Sequence, residues 1–94
     1  MSLHEYLVLG AVAGAGGRAV PVAELTASLK ESGSRMTFVL KGLQATGLIE
    51  RDRRAGDRRT IEVTLTDAGR VRLAEAEGTA RTWLRRHGDL HSNR

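Results

Sequence analysis

Residues 34–51 read SRMTFVLKGLQATGLIER, and this stretch decides the fold. Met36, Val39, Leu40 and Leu43 recur at i, i+3, i+4 and i+7, the spacing of one buried stripe on an α-helix. The pattern predicts a helix over 34–46, stopped by Gly47 at the position after the C-cap, where a left-handed backbone favours glycine. Leu48–Asp52 follows as a strand, apolar at Leu48 and Ile49 and then charged.

Working outward toward the C-terminus, Thr60–Leu65 predicts a second strand. Ile61, Val63 and Leu65 alternate there with Thr60, Glu62 and Thr64. Ala55-Gly56-Asp57 is a turn signal, so the two strands form a hairpin. Thr66 caps a last helix over Asp67–His87, with Leu73, Ala76, Ala80, Trp83, Leu84 and His87 on one stripe.

Working toward the N-terminus, Glu31-Ser32-Gly33-Ser34 is a turn with a serine placed to cap the next helix. Val22–Lys30 is a helix with Val22, Leu25 and Leu29 at helical spacing, opened by Pro21. Arg18–Pro21 is short and extended. A mostly apolar helix spans Leu3–Ala13 and ends at Gly14, Gly16 and Gly17; its apolar face is expected along Leu3, Tyr6, Leu7 and Gly10, widened by Val8, Leu9 and Val12. The expected fold is α+β and mainly α. It is a winged helix-turn-helix with a three-helix core, a two- to three-stranded β-wing and a C-terminal helix. Residues 1–87 are expected to form a single domain and residues 88–94 a polar disordered tail.

The chain has 94 residues, a net charge of +4 and an isoelectric point near 10.6, which suits an anionic partner. Thirteen of its fifteen basic residues are arginine, the better residue for bidentate phosphate and guanine contacts. There is no cysteine, which excludes disulfides, thiolate zinc sites and thiol redox sensing. No basic-then-apolar leader and no membrane-spanning run is evident, so the cytoplasm, with the bacterial nucleoid, is the expected location.

In a helix-turn-helix the second helix enters the major groove. With Met36, Val39, Leu40 and Leu43 facing inward, DNA contacts are expected from Ser32, Ser34, Arg35, Thr37, Phe38 and Lys41, with Gln44 further along. Phe38 has two readings. It touches a thymine methyl, or the helix phase differs and it packs against the first helix. The hairpin carries five arginines against two aspartates. Arg53, Arg54, Arg58 and Arg59 are candidates for the minor groove, and Asp57 is expected to orient a neighbouring guanidinium through a bidentate pair. Asp52 is an unassigned surface charge.

Gly47-Leu48-Ile49-Glu50-Arg51, Asp57-Arg58-Arg59 and Val63-Thr64-Leu65-Thr66-Asp67-Ala68-Gly69 resemble the MarR (multiple antibiotic resistance regulator) family of winged-helix repressors, over about Leu3–Ala76. The resemblance implies homodimers on palindromic duplex DNA, with the recognition helix in the major groove. It also implies Arg58 as the minor-groove probe, supported by Asp57 and Arg59. Gly33 and Phe38 depart from the polar or basic residues usual there. The chain opens near the family's second helix, which bears on the family's dimer interface and its phenolic-ligand pocket. Homodimerisation is expected through the C-terminal helix (Leu73, Ala76, Ala80, Trp83, Leu84) and the N-terminal helix; alternatively that stripe packs on the domain's own core.

Other signals carry less. Gly14-x-Gly16-x-x-Ala19 follows a helix rather than a strand and fits no dinucleotide-binding unit. His87 and His91 are four apart, but Gly88 breaks the helix there and no third metal ligand is evident; His4-Glu5 is a surface pair. No catalytic constellation and no phosphate loop is present, so neither an enzyme nor a cofactor is expected. The expected function is a sequence-specific, duplex-DNA-binding transcriptional regulator, a repressor by steric occupation of a promoter. The alternative is a protein-interaction module that turns the same basic hairpin toward an acidic protein. A membrane-surface role fits no helix.

Overall fold

The computed structural model describes residues 1–87; the expected polar tail lies outside the described residues. The element order is α1 (Leu3–Ala13), β1 (Val20–Pro21), α2 (Val22–Leu29), α3 (Gly33–Ala45), β2 (Ile49–Arg54), β3 (Asp57–Leu65) and α4 (Asp67–His87). The three strands form one antiparallel sheet in the order β1-β3-β2.

Local chemistry explains where the elements start and stop. Ser2 and Glu5 form a reciprocal capping box on α1: the Glu5 amide donates to Ser2 Oγ at 3.2 Å and the Ser2 amide donates to Glu5 Oε1 at 2.8 Å. Ser32 caps α3, its Oγ accepting from the Arg35 amide at 3.1 Å. At the other end Gly47 takes φ +76°, its amide donates to Gln44 O, and the Leu48 amide donates to Leu43 O. That pair of bonds is a Schellman closure, and it needs the left-handed backbone that glycine adopts freely.

The same closure meets α4. Thr66 Oγ1 accepts from the Gly69 amide at 2.9 Å, capping α4, and donates to Gly47 O at 2.6 Å. The Thr66 amide donates to Leu48 O at 3.1 Å. Gly69 packs so tightly on this segment that a Cβ there would collide with the Leu48 carbonyl. The end of α3 and the start of α4 are thereby one joint.

The core is the stripe of α3 (Met36, Val39, Leu40, Leu43) closed by Val8, Leu9 and Val12 of α1, Leu25 of α2, Val20, Ile49, Val63 and Leu65 of the sheet, and Leu73 of α4. Burying side chains of this size contributes about 1.5–3 kcal/mol each.

Three expectations change. In α1 the buried face is Val8, Leu9 and Val12, whereas Leu3 and Leu7 are 68% and 42% exposed. The helix is apolar around most of its circumference, so periodicity could not orient it; its contacts with α2, α3, β3 and α4 did. The hairpin strands run further than expected, to Arg54 and from Asp57, around a turn at Ala55-Gly56 where Gly56 has φ +83°. On α4 only Gly69 and Leu73 are buried; Leu73 of the expected stripe joins the core, while Trp83 and Leu84 remain 55% and 58% exposed, so the C-terminal part of the stripe does not pack on the domain's own core. Its 21 residues make a rod about 32 Å long.

Candidate nucleic-acid interface

α3 is placed by its apolar face, and that fixes what the opposite face shows. Ser34, Arg35, Thr37, Phe38 and Lys41 are all exposed on it, as is the cap Ser32. Phe38 is 77% exposed, which settles its phase: it points away from the core. The side chains of Arg35 and Lys41 make no hydrogen bond or ion pair among the described residues. Gln44 is engaged differently. Its Oε1 accepts from Arg51 Nε at 2.8 Å, tying the last turn of α3 to the base of β2. Ser32 spends its hydroxyl oxygen on the Arg35 amide and lies 3.4 Å from Ser34 Oγ.

The wing is irregular at its tip. Arg53 pairs with Ile61 and Arg54 with Asp57, so Arg58, Arg59 and Thr60 fall in a bulge with no cross-strand partner. Asp57 holds that bulge. Its Oδ1 accepts from the Arg59 amide at 3.1 Å and its Oδ2 from the Thr60 hydroxyl at 2.7 Å. The Thr60 hydroxyl, then the Arg59 amide, hold the Asp57 carboxyl below its ordinary range. The expected bidentate pairing of Asp57 with a guanidinium is therefore corrected: it shapes backbone, because the bulge turns an amide and a hydroxyl toward its carboxylate.

The four candidate wing arginines divide. Arg53 Nη1 donates to Arg58 O at 2.6 Å, buttressing the bulge. Arg54 points Nε and Nη2 at Glu62 Oε2, at 2.9 and 2.8 Å. Arg58 and Arg59 make no side-chain hydrogen bond or ion pair among the described residues, and both are exposed. Sequence reasoning missed Glu62 because the Arg54–Glu62 contact is diagonal across the hairpin and depends on the register. Asp52 lies directly opposite Glu62, a like-charge pair that Arg54 offsets.

Among the described residues no group of three or more His, Asp or Glu side chains could hold a metal ion, and no helix is long and apolar enough to cross a membrane. His87 stacks on Trp83 with ring centroids 4.2 Å apart, and its Nδ1 lies 2.8 Å from Trp83 O; His91 lies outside the described residues. His4 Nε2 lies 2.8 Å from Glu31 Oε2, while Glu5 belongs to the cap of α1, so His4 and Glu5 serve different partners.

The sequence model of the MarR family matches residues 1–60. No curated protein matches the chain in sequence. Solved structures do. The transcriptional regulator BldR from Sulfolobus solfataricus is 26% identical, with a TM-score of 0.84 over 97% of this chain and 64% of that one. A cysteine-to-serine mutant of MarR from E. coli is 23% identical, with a TM-score of 0.86 over 100% of this chain and 66% of that one. FabT from Streptococcus pneumoniae, solved in complex with DNA, is 24% identical, with a TM-score of 0.76 over 95% of this chain and 61% of that one. The chain spans just under two thirds of the length of these structures.

Proposed function

The chain belongs to the MarR family, and from that premise we propose that it is a sequence-specific, double-stranded-DNA-binding transcriptional regulator, acting as a repressor by occupying promoter DNA in the bacterial cytoplasm. The observation that carries the proposal is the pairing of two exposed basic features, one on α3 and one on the hairpin that follows it and is tied to its last turn by Arg51 and Gln44. The polar face of α3 offers Ser34, Arg35, Thr37 and Lys41, and the wing tip offers Arg58 and Arg59 with uncommitted guanidinium groups. In this proposal α3 enters the major groove, where Arg35 contacts guanine or phosphate and Lys41 the backbone. Arg58 and Arg59 enter the flanking minor groove, where the potential is most negative. Arg53 and Asp57 hold the tip in shape, and Ser32 presents α3 by capping it. FabT, a structure of the same fold solved with DNA, supports this reading.

Residues 1–87 act as one domain, and two copies pair through α4 and α1. The exposed apolar residues Leu3, Leu7, Val71, Trp83 and Leu84 support that pairing. A dimer places two recognition helices on half-sites about 34–36 Å apart.

Fluorescence anisotropy with labelled duplexes at two salt concentrations tests the proposal. Binding should weaken steeply as salt rises, because phosphate neutralisation releases counterions. No binding at low salt overturns it. Capture of an acidic protein from nuclease-treated lysate, without duplex binding, would instead favour the interaction-module reading. Light scattering with and without duplex tests the dimer.

A further inference from the structure

Among the described residues Phe38 stacks on no other ring and stays outside the core, and it stands in the middle of the face set against the major groove in the proposed function. It is 77% exposed. On an α-helix its neighbours on the same face are Ser34 and Arg35 one turn before and Lys41 and Gly42 one turn after. Ser34 and Gly42 are too small to cover the ring, and Arg35 and Lys41 are cations. The ring is thus an isolated apolar surface in a polar, basic setting.

The floor of the major groove is polar except at one kind of group, the C5-methyl of a pyrimidine. Thymine carries that methyl on an A·T pair, and 5-methylcytosine carries it on a G·C pair. Cytosine and uracil lack it. Burying one methyl-sized group against an aromatic ring contributes about 0.8 kcal/mol, or roughly four-fold in affinity. The flanking Arg35 and Lys41 bring the helix to the phosphates and base edges, but neither distinguishes a methylated pyrimidine from an unmethylated one. Thr37 on this face offers a single methyl beside its hydroxyl, and Phe38 offers the large apolar surface that a methyl can be buried against.

We propose that Phe38 is a C5-methyl reader, so that the protein's affinity for its site depends on one pyrimidine methyl per half-site and accepts 5-methylcytosine where it rejects cytosine. The proposal rests on the reading of α3 as the major-groove helix. It goes further in making the contact sensitive to base methylation.

The experiment takes the tightest duplex that the full chain selects from a randomised library. That duplex is resynthesised with deoxyuridine replacing each thymidine in turn. At the thymine facing Phe38, deoxyuridine should weaken wild-type binding about four-fold, and Phe38→Ala should erase the difference. At the same position, a duplex carrying 5-methylcytosine opposite guanine should bind about four-fold more tightly than one carrying cytosine, again only with the phenyl ring present. Phe38→Leu, which keeps apolar bulk, should keep the methyl effect. Because Phe38 lies on the surface, both variants should keep the wild-type circular dichroism and melting curve. Selection of a duplex at which no deoxyuridine matters, or an equal deoxyuridine effect in wild type and Phe38→Ala, overturns this inference alone. Failure to select any duplex overturns the DNA-binding reading and this inference with it.

Discussion

Replacing Glu62 with glutamine should make the protein bind DNA more tightly and with a steeper dependence on salt. Arg54 directs both Nε and Nη2 at one oxygen of Glu62, at 2.9 and 2.8 Å, so its charge is largely answered inside the hairpin. Glutamine keeps the size of the side chain and an acceptor oxygen but removes the negative charge. Arg54 is then available to a phosphate, and the like-charge contact between Asp52 and residue 62 disappears. One added phosphate contact steepens the slope of log K against log salt by about 0.9, equivalent to roughly eight-fold tighter binding at 0.1 M salt relative to 1 M. The fold should hardly notice. The two side chains are 46% and 22% exposed, and solvent screening leaves a pair of this kind worth roughly 0.2–1 kcal/mol. The assay is fluorescence anisotropy over a salt series, with wild type, Glu62→Gln, Arg54→Ala, Arg58→Ala and the double variant Glu62→Gln/Arg54→Ala. Arg54→Ala alone should leave the slope nearly unchanged, and it should cancel the gain from Glu62→Gln. Arg58→Ala should flatten the slope by about 0.9 and weaken binding by about 1–3 kcal/mol. If Arg54→Ala flattens the slope as much as Arg58→Ala, the clamp on Glu62 does not withhold Arg54 and the reasoning fails.

Three further outcomes are expected. Gly69→Ala forces a methyl against the Leu48 carbonyl at the α3–α4 joint and should lose about 2 kcal/mol, lowering Tm by roughly 8–16 °C; an unchanged melting curve would refute the tight packing. Lys30→Gly should stabilise the protein by about 1 kcal/mol in urea denaturation, because Lys30 sits at φ +53° where a Cβ is strained, and a loss of stability would contradict that strain. The Asp57 carboxyl is held below 3.8 by Thr60 and the Arg59 amide, so its contribution to stability is complete above that value and disappears as pH falls through the lower, folded-state value. An NMR titration of the Arg59 amide should therefore show its midpoint below 3.8, and a midpoint at or above it would remove Asp57 from the bulge.

Much of the candidate site's exposed surface was legible along the chain because one helix carries it. The stripe Met36, Val39, Leu40 and Leu43 fixes which side of α3 is buried, and by exclusion which residues face outward. The wing was legible as charge and turn but not as geometry. Five arginines within nine residues look alike in sequence. Only the bulge after Arg54 separates Arg58 and Arg59, which stay uncommitted, from Arg53 and Arg54, which brace the hairpin.

The amino-acid sequence was enough for the order of the elements and for the ends of the helices, but not for the reach of the two hairpin strands. Ser2 with Glu5, Ser32, Gly47 and Thr66 act on amides and carbonyls mostly a few residues away, so their effect is written locally. The tertiary structure alone decided three matters. It chose Val8, Leu9 and Val12 as the buried side of an α1 that is apolar nearly all round. It placed Trp83 and Leu84 beyond the reach of the core, and it brought Arg54 to Glu62 across the hairpin. Each depends on which distant surface arrives at a residue. Periodicity within a single element carries no information about that, because the competing arrangements share the same local geometry and differ only in long-range contacts.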